Sequence, residues 1–328
     1  MAHSDPKEFS RFSNFDIIRA THKIVADHEI FAHILVPKHL NMQSKLSKHH
    51  PIILRFHGGG FATASGLFPA WFAPWVLELA SRHSAVIVSA DHRLIPESSI
   101  DDVLEDVEDF WKWAHDQLPG FILKQTKGAV QVDTSRIMTC GESAGGYLSL
   151  QLGLNHPKEI KAVTAAYPMI DYKSPHFTDI SEAPILGCPF IPASLIEDHV
   201  DRIRKGEVSS IISADDTLER LKFMFCLIQN GKYPEFFPPN RRDLDIFDKL
   251  DDGAMFPRGG VFILHGNEDE VVPTEGSIKL SDKLRDIDQE LNFRLTIQQG
   301  NHGFDASAKI DDKWLAEGLK DLIAAWLA

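Results

Sequence analysis

The sequence is short of cysteine, of clustered positive charge and of long apolar runs, and each shortage removes a class of protein. Its 328 residues hold three cysteines, Cys140, Cys188 and Cys226, so any disulfide framework would leave one over. A reducing, intracellular setting is the simpler expectation. No run approaches the ~18 apolar residues of a membrane span. Met1-Ala2-His3-Ser4-Asp5-Pro6-Lys7-Glu8 lacks the charged-then-apolar plan of a signal peptide, and the closing Ala325-Trp326-Leu327-Ala328 carries no peroxisomal signal. The expectation is a soluble, cytoplasmic chain. Lys/Arg blocks are missing too, and the net charge of −13 with a pI near 5.6 argues against nucleic acid or an anionic membrane as partner, since both repel an acidic protein. No H-E-x-x-H and no Cys/His cluster suggests a metal. The glycines of His57-Gly58-Gly59-Gly60-Phe61 lack the G-x-G-x-x-G spacing of a dinucleotide site. No metal and no cofactor is expected.

What is present is enough apolar material, 43% of residues, to bury one large core. Strand and helix signals alternate, predicting an α/β fold with a mostly parallel sheet covered on both faces. Residues 17–25 and 29–36 read as an opening antiparallel pair, and 51–56, 85–90, 161–167, 261–265 and 292–298 as later strands. Helices are expected through 75–80, over 101–117, from 144, near 277–288 and over 312–327. From about 170 to 255 the pattern breaks into short helices and Pro/Phe-rich turns, among them 193–205 and 217–229. A strandless stretch of that length reads as a cap inserted between two strands of a single domain. The N-terminal residues, to about 16, are expected to contribute to it through Phe9, Phe12 and Phe15.

Two motifs carry chemistry. Gly141-Glu142-Ser143-Ala144-Gly145-Gly146 follows the β-rich 135–140, and from Ala144 onward Tyr147, Leu148 and Leu152 recur at helix spacing. Ser143 thus falls on a strand-to-helix turn, a G-x-S-x-G nucleophile elbow. Gly141 and Gly145 must be small there to avoid neighbouring elements, and the new helix points its N-terminal N–H groups at the reacting centre. His57-Gly58-Gly59-Gly60, at the end of another apolar run, is the glycine-rich loop that completes an oxyanion hole.

Ser143 needs a base. His57 belongs to the glycine loop and is better suited to ordering it than to taking protons. Among the sixteen histidines, His302 stands out, in the loop Gly300-Asn301-His302-Gly303-Phe304 after a strand. The acid that fixes its tautomer is sought after the strand 261–265, where Glu268, Asp269 and Glu270 crowd one loop. Asp269 is preferred, with Glu268 and Glu270 as alternatives. The order Ser143, Asp269, His302 is that of the α/β-hydrolase triad.

With these motifs, and with Asp91-His92-Arg93-Leu94-Ile95-Pro96-Glu97, His265-Gly266-x-x-Asp269 and His302-Gly303-Phe304, the chain from about residue 50 onward resembles the hormone-sensitive-lipase-like carboxylesterase group of the α/β-hydrolases. The resemblance implies Ser143, Asp269 and His302 as triad. It also implies Gly59, Gly60 and Ala144 as oxyanion donors, with Gly58 shaping the turn of that hole. Three positions depart from the group's pattern: His92 stands for the usual tyrosine, Ile95 for alanine and Glu142 for the more frequent aspartate.

The expected reaction is hydrolysis of a small to medium hydrophobic ester through an acyl-enzyme. Phe61, Phe68, Trp71, Phe72, Phe177, Phe190, Phe223 and Phe225 are candidates for an apolar pocket wall. A non-hydrolytic catalyst on the same scaffold (cyclase, isomerase, lactonase or acyltransferase in a biosynthetic pathway) is the alternative, since the same site serves both. A ligand-binding receptor is disfavoured by the complete set of catalytic residue types. A homodimer is compatible with the sequence, which is silent on assembly.

Overall fold

The computed structural model describes residues 9–41, 49–238 and 241–328. Eight strands form one sheet: β1 (Phe15–Val25), β2 (His28–Pro37), β3 (His50–Phe56), β4 (Val86–Ala90), β5 (Val132–Glu142), β6 (Ile160–Ala166), β7 (Val261–Gly266) and β8 (Phe293–Gln298). Their order is β1-β2-β4-β3-β5-β6-β7-β8. β1, β2 and β4 pair antiparallel, and every pairing from β4 through β3 to β8 is parallel.

Side-chain alternation divides the interior into two layers. Ile52, Leu54 and Phe56 of β3, with Val86 and Val88 of β4, point into one core, while Ile53 and Ile87 between them point into the other. Both faces are covered, so β3 and β4 are apolar nearly throughout and buried along their length. The helices Ile100–Asp116, Ala144–Asn155 and Thr274–Ile287 pack on the first face. Pro74–His83 and Lys313–Leu327 cover the second.

Between β6 and β7 the described residues form no strand of the sheet. They contain the helices Pro175–Thr178, Ser194–Arg204, Leu221–Gln229 and Ile246–Asp251. Their apolar side chains, Phe177, Phe223 to Ile228, Tyr233 and Phe237 among them, continue the first core. Phe12 and Phe15 do not join them. They belong to the second core, with Phe12 edge-on to Phe72 at 5.1 Å. Spacing of three in a short 3-10 turn (Phe9–Phe12) leaves the buried face undecided. Residues 1–8 and the side chain of Phe9 lie outside the described residues. A further helix, Leu118–Gln125, carries Pro119 in its first turn. Proline is tolerated in a first turn, whose N–H needs no intrahelical partner. All three cysteines are free thiols, and no helix among the described residues is long and apolar enough to cross a membrane.

Candidate active site

The glycine loop, the Ser143 turn and the loops after β7 and β8 all follow the carboxyl ends of parallel strands, the edge where α/β sheets gather their functional groups. Ser143 follows β5, between it and the helix Ala144–Asn155, at φ 57° and ψ −121°, a conformation that costs a serine energy. It persists because its backbone is fixed on both sides. Ser143 N donates to Ala166 O at 2.9 Å, and its carbonyl accepts Met169 N at 3.1 Å and Tyr147 N at 3.2 Å. The flanking glycines are obligatory on distance alone. A Cβ at Gly141 would lie 2.1 Å from Gly145 O, and one at Gly145 would lie 2.1 Å from Phe56 O.

The glycine loop lies directly against this turn, since a Cβ on Gly58 would come within 3.2 Å of Ser143 Cβ. Its polar groups are sorted by use. Gly58 N donates to Glu142 Oε1 at 3.1 Å, so Gly58 shapes the loop and its N–H is not free for an oxyanion. His57 Nδ1 donates to Gly58 O at 2.7 Å, and Gly59 O accepts Ala62 N and Thr63 N at 2.9 and 3.2 Å. The N–H groups of Gly59, Gly60 and Ala144 are left without an acceptor among the described residues. His57 is fully interior, and burial, helped by neighbouring His92, pushes its pKa down to about 3. It stays neutral and orders the loop. His92 stacks on it, rings 4.5 Å apart and nearly parallel, and donates from Nδ1 to Arg93 O at 2.9 Å.

Asp269 and His302 meet. His302 Nδ1 lies 2.8 Å from Asp269 Oδ2. The other oxygen, Oδ1, accepts Val271 N and Val272 N at 2.9 and 2.8 Å. His265 Nε2 stands 3.3 Å from Oδ2, its Nδ1 held by Ser277 Oγ at 2.8 Å. Burial pushes the Asp269 carboxyl up, but His302 and the hydrogen bonds from His265, His302 and Val272 outweigh it and hold the group well below the usual carboxylate range. Asp269 is therefore ionised, and the proton between the pair sits on Nδ1. The two alternatives are exposed: Glu270 accepts Leu186 N and Asn301 Nδ2 at 2.7 and 2.9 Å, while Glu268 only donates its backbone N–H to Gly300 O at 2.9 Å.

Several contributors to the site carry no sequence signature. The Tyr167 ring lies 4.5 Å from His302, one residue beyond the Ala166 carbonyl that holds Ser143. Tyr167 sits at φ 37°, and its hydroxyl donates to Asp305 Oδ1 at 3.0 Å, whose Oδ2 accepts Trp75 Nε1 at 2.8 Å. Beneath the elbow, Arg55 forms an interior ion pair with Glu142, its guanidinium stacked 3.9 Å over Phe72. Burial pushes the Glu142 pKa up to about 7, with Arg55 and the Gly58 N–H pulling against it. Burial likewise raises Asp305, against its bonds from Trp75 and Tyr167.

The aromatic candidates fare unevenly. Phe72 packs against Phe12 and under the Arg55 guanidinium. Phe61 is wholly buried, edge-on to Tyr147 and Phe237. Phe68 packs edge-on to Trp71 at 5.0 Å. Phe223 lies beside His199, and Phe177 meets Tyr233 at 5.6 Å. Phe225 is buried, while Trp71 and Phe190 keep partial exposure.

Comparison with known proteins bears on the fold and the family. A family model described as alpha/beta hydrolase fold matches residues 53–201. The chain is 28% identical over 322 residues to a probable carboxylesterase, M8, of Phoma sp., covering 97% of this chain and 98% of that one. It is 34% identical over 130 residues to a non-reducing polyketide synthase, atr1, of Stereocaulon alpinum, covering 39% of this chain but 5% of the synthase. Among solved structures, a fungal esterase of Rhizomucor miehei superposes with a TM-score of 0.60 at 19% identity, covering 98% of this chain and 85% of that one.

Proposed function

We propose that this chain, a member of the carboxylesterase group of the α/β-hydrolase superfamily, hydrolyses uncharged carboxylic esters with Ser143 as nucleophile, His302 as base and Asp269 as the acid behind it. The observation that carries the reading is the 2.8 Å contact between His302 Nδ1 and Asp269 Oδ2. With Asp269 ionised and the proton on Nδ1, the lone pair is on Nε2, the tautomer a general base requires. Nε2 takes the proton of Ser143 Oγ as that oxygen attacks the ester carbonyl. The tetrahedral oxyanion is met by the N–H groups of Gly59, Gly60 and Ala144. The imidazolium returns its proton to the leaving alcohol, and the acyl-enzyme is cleared by water activated by the same nitrogen.

Neutrality of the substrate follows from the arginines. Arg55 is matched by Glu142, Arg93 by Asp102, Glu105 and Asp106, and Arg220 by Glu97. These three guanidiniums are thus already paired and are not free to clamp a carboxylate or phosphate, which supports an uncharged substrate. The segment from about 170 to 255 serves as the cap that shapes the substrate side. A fluorophosphonate probe and p-nitrophenyl butyrate test the reading together. Both labelling and hydrolysis should vanish in Ser143→Ala, and retention of either removes Ser143 as nucleophile.

A second reading, acyl chemistry without net hydrolysis in a biosynthetic pathway, is favoured by the match to a segment of a polyketide synthase. The acyl-enzyme would be the same, with a hydroxyl of the substrate or of a second molecule replacing water. Product analysis separates the two: free acid supports hydrolysis, and a new ester or lactone supports transfer.

A further inference from the structure

We propose that Tyr233, carried by the segment between β6 and β7, is a positioning residue for the oxyanion loop, fixing the peptide after Gly60 so that the loop keeps its N–H groups toward Ser143. The proposal rests on the esterase reading and adds a residue to it.

The two preceding peptides of the loop are fixed locally. In a trans peptide the C=O and N–H point in opposite directions. Gly58 O faces the His57 ring at 2.7 Å, which turns Gly59 N–H away from that ring. Gly59 O is drawn into the turn by Ala62 N and Thr63 N, which turns Gly60 N–H outward. The third peptide has no such local partner. Its carbonyl, Gly60 O, accepts the Tyr233 hydroxyl at 3.0 Å, from 173 residues away in sequence. Gly60 sits at φ +58°, where a glycine has no Cβ to limit its freedom. The clamp on its far side therefore decides where it rests.

Tyr233 is placed to hold it firmly. The residue is fully buried, its ring meets Phe177 edge-on, and a Cβ on Gly60 would come within 2.2 Å of the hydroxyl and 2.6 Å of Met224 Cγ. No slack is left between this segment and the loop. Neighbouring contacts run the same way: Asp215 N donates to Ala64 O at 2.8 Å, Thr63 Oγ1 to Asp215 Oδ2 at 2.7 Å, and Arg220 Nε to Ala62 O at 2.8 Å. Burial raises the phenol's pKa far above its ordinary value, so the hydroxyl remains a donor throughout the working pH range. The segment that shapes the substrate side thus also holds the oxyanion donors in place.

The test is Tyr233→Phe in the full chain, which removes one oxygen and keeps the ring. With p-nitrophenyl butyrate, kcat should fall about 10-fold, a fraction of the 10²–10³ lost with a whole oxyanion donor, while KM stays within about twofold. Affinity for an alkyl trifluoromethyl ketone, whose adduct needs the oxyanion hole, should fall by the same factor. Competitive inhibition by butyrate should not change. A merely structural role would not split these readouts. Unchanged kcat and unchanged ketone affinity overturn the proposal. Should Tyr233→Phe fail to fold by circular dichroism, Phe177→Leu keeps the hydroxyl and loosens its ring; the same split at smaller size is expected, and its absence overturns the proposal. Wild type and Ser143→Ala run alongside. A wild type without esterase activity sinks the esterase reading, whereas an active wild type with an equally active Tyr233→Phe sinks only this inference.

Discussion

Glu142 Oε1 accepts the Gly58 N–H at 3.1 Å, so the residue before the nucleophile holds the loop that faces it. The same oxygen pairs with Arg55, which is interior and pairs with no other carboxylate among the described residues. Above about pH 8, where the Glu142 carboxyl is ionised, Glu142→Gln should therefore leave a buried guanidinium without its counter-charge, at a cost of about 3–5 kcal/mol in urea unfolding. Pairing it with Arg55→Met should restore most of that loss, because an apolar side chain tolerates the site where an orphan cation does not. A double variant no more stable than Glu142→Gln would show that the ion pair is not the origin of the effect.

The acid assignment is a matter of ranking. Asp269→Asn presents an amide to His302 Nδ1 and favours the wrong tautomer, a change that costs about 10⁴ in kcat in such triads. Glu268→Gln and Glu270→Gln alter exposed side chains, and each should stay within about twofold of wild type, as surface changes do. Steady-state kinetics on the three variants decide it. The reverse order moves the acid.

Stability should report the same carboxylate. Asp269 is held below its ordinary value near 3.8, so folding favours the ionised form. Its contribution is complete above that value and is lost as the pH falls through it toward the lower value of the folded state. Other carboxylates are common to wild type and Asp269→Asn and cancel between them. The stability gap in urea unfolding should therefore be widest near about pH 7 and shrink toward about pH 3. A gap that fails to shrink as the pH falls from about 4 to about 3 contradicts an Asp269 that the fold holds ionised.

The sequence was most legible where function is written in consecutive residues. Gly141 to Gly146 and His57 to Gly60 each encode a backbone shape, and a shape that tolerates only glycine leaves a pattern that can be read. The mostly parallel character of the sheet is legible in the alternation of strand and helix signals, which does not give the strand order. Tyr167, Asp305, Trp75 and Tyr233 left no such trace. Each contributes one side chain from a different element, and a lone tyrosine at a strand end reads as ordinary core. Phe12 and Phe15 were misplaced for a related reason: an apolar residue announces that it will be buried, and not against what.

Two glycines in helices separate contact from propensity. Gly145 and Gly120 both lie in the first turns of their helices, Ala144–Asn155 and Leu118–Gln125. A Cβ at Gly120 meets nothing within 4 Å, so Gly120→Ala should gain up to about 1 kcal/mol from helix propensity and keep full activity. A Cβ at Gly145 would stand 2.1 Å from Phe56 O and 2.6 Å from His57 O. These are main-chain atoms at the end of β3, and they can yield only by moving the start of the glycine loop away from the elbow. Gly145→Ala should thus widen the space between Ser143 and the Gly59 and Gly60 amides, and kcat should fall by about 10²–10³, as when an oxyanion donor is lost. The same chemical change then has opposite consequences at two helical positions. Wild-type turnover in Gly145→Ala would mean that the close approach of elbow and loop is not what aligns the nucleophile with its amides.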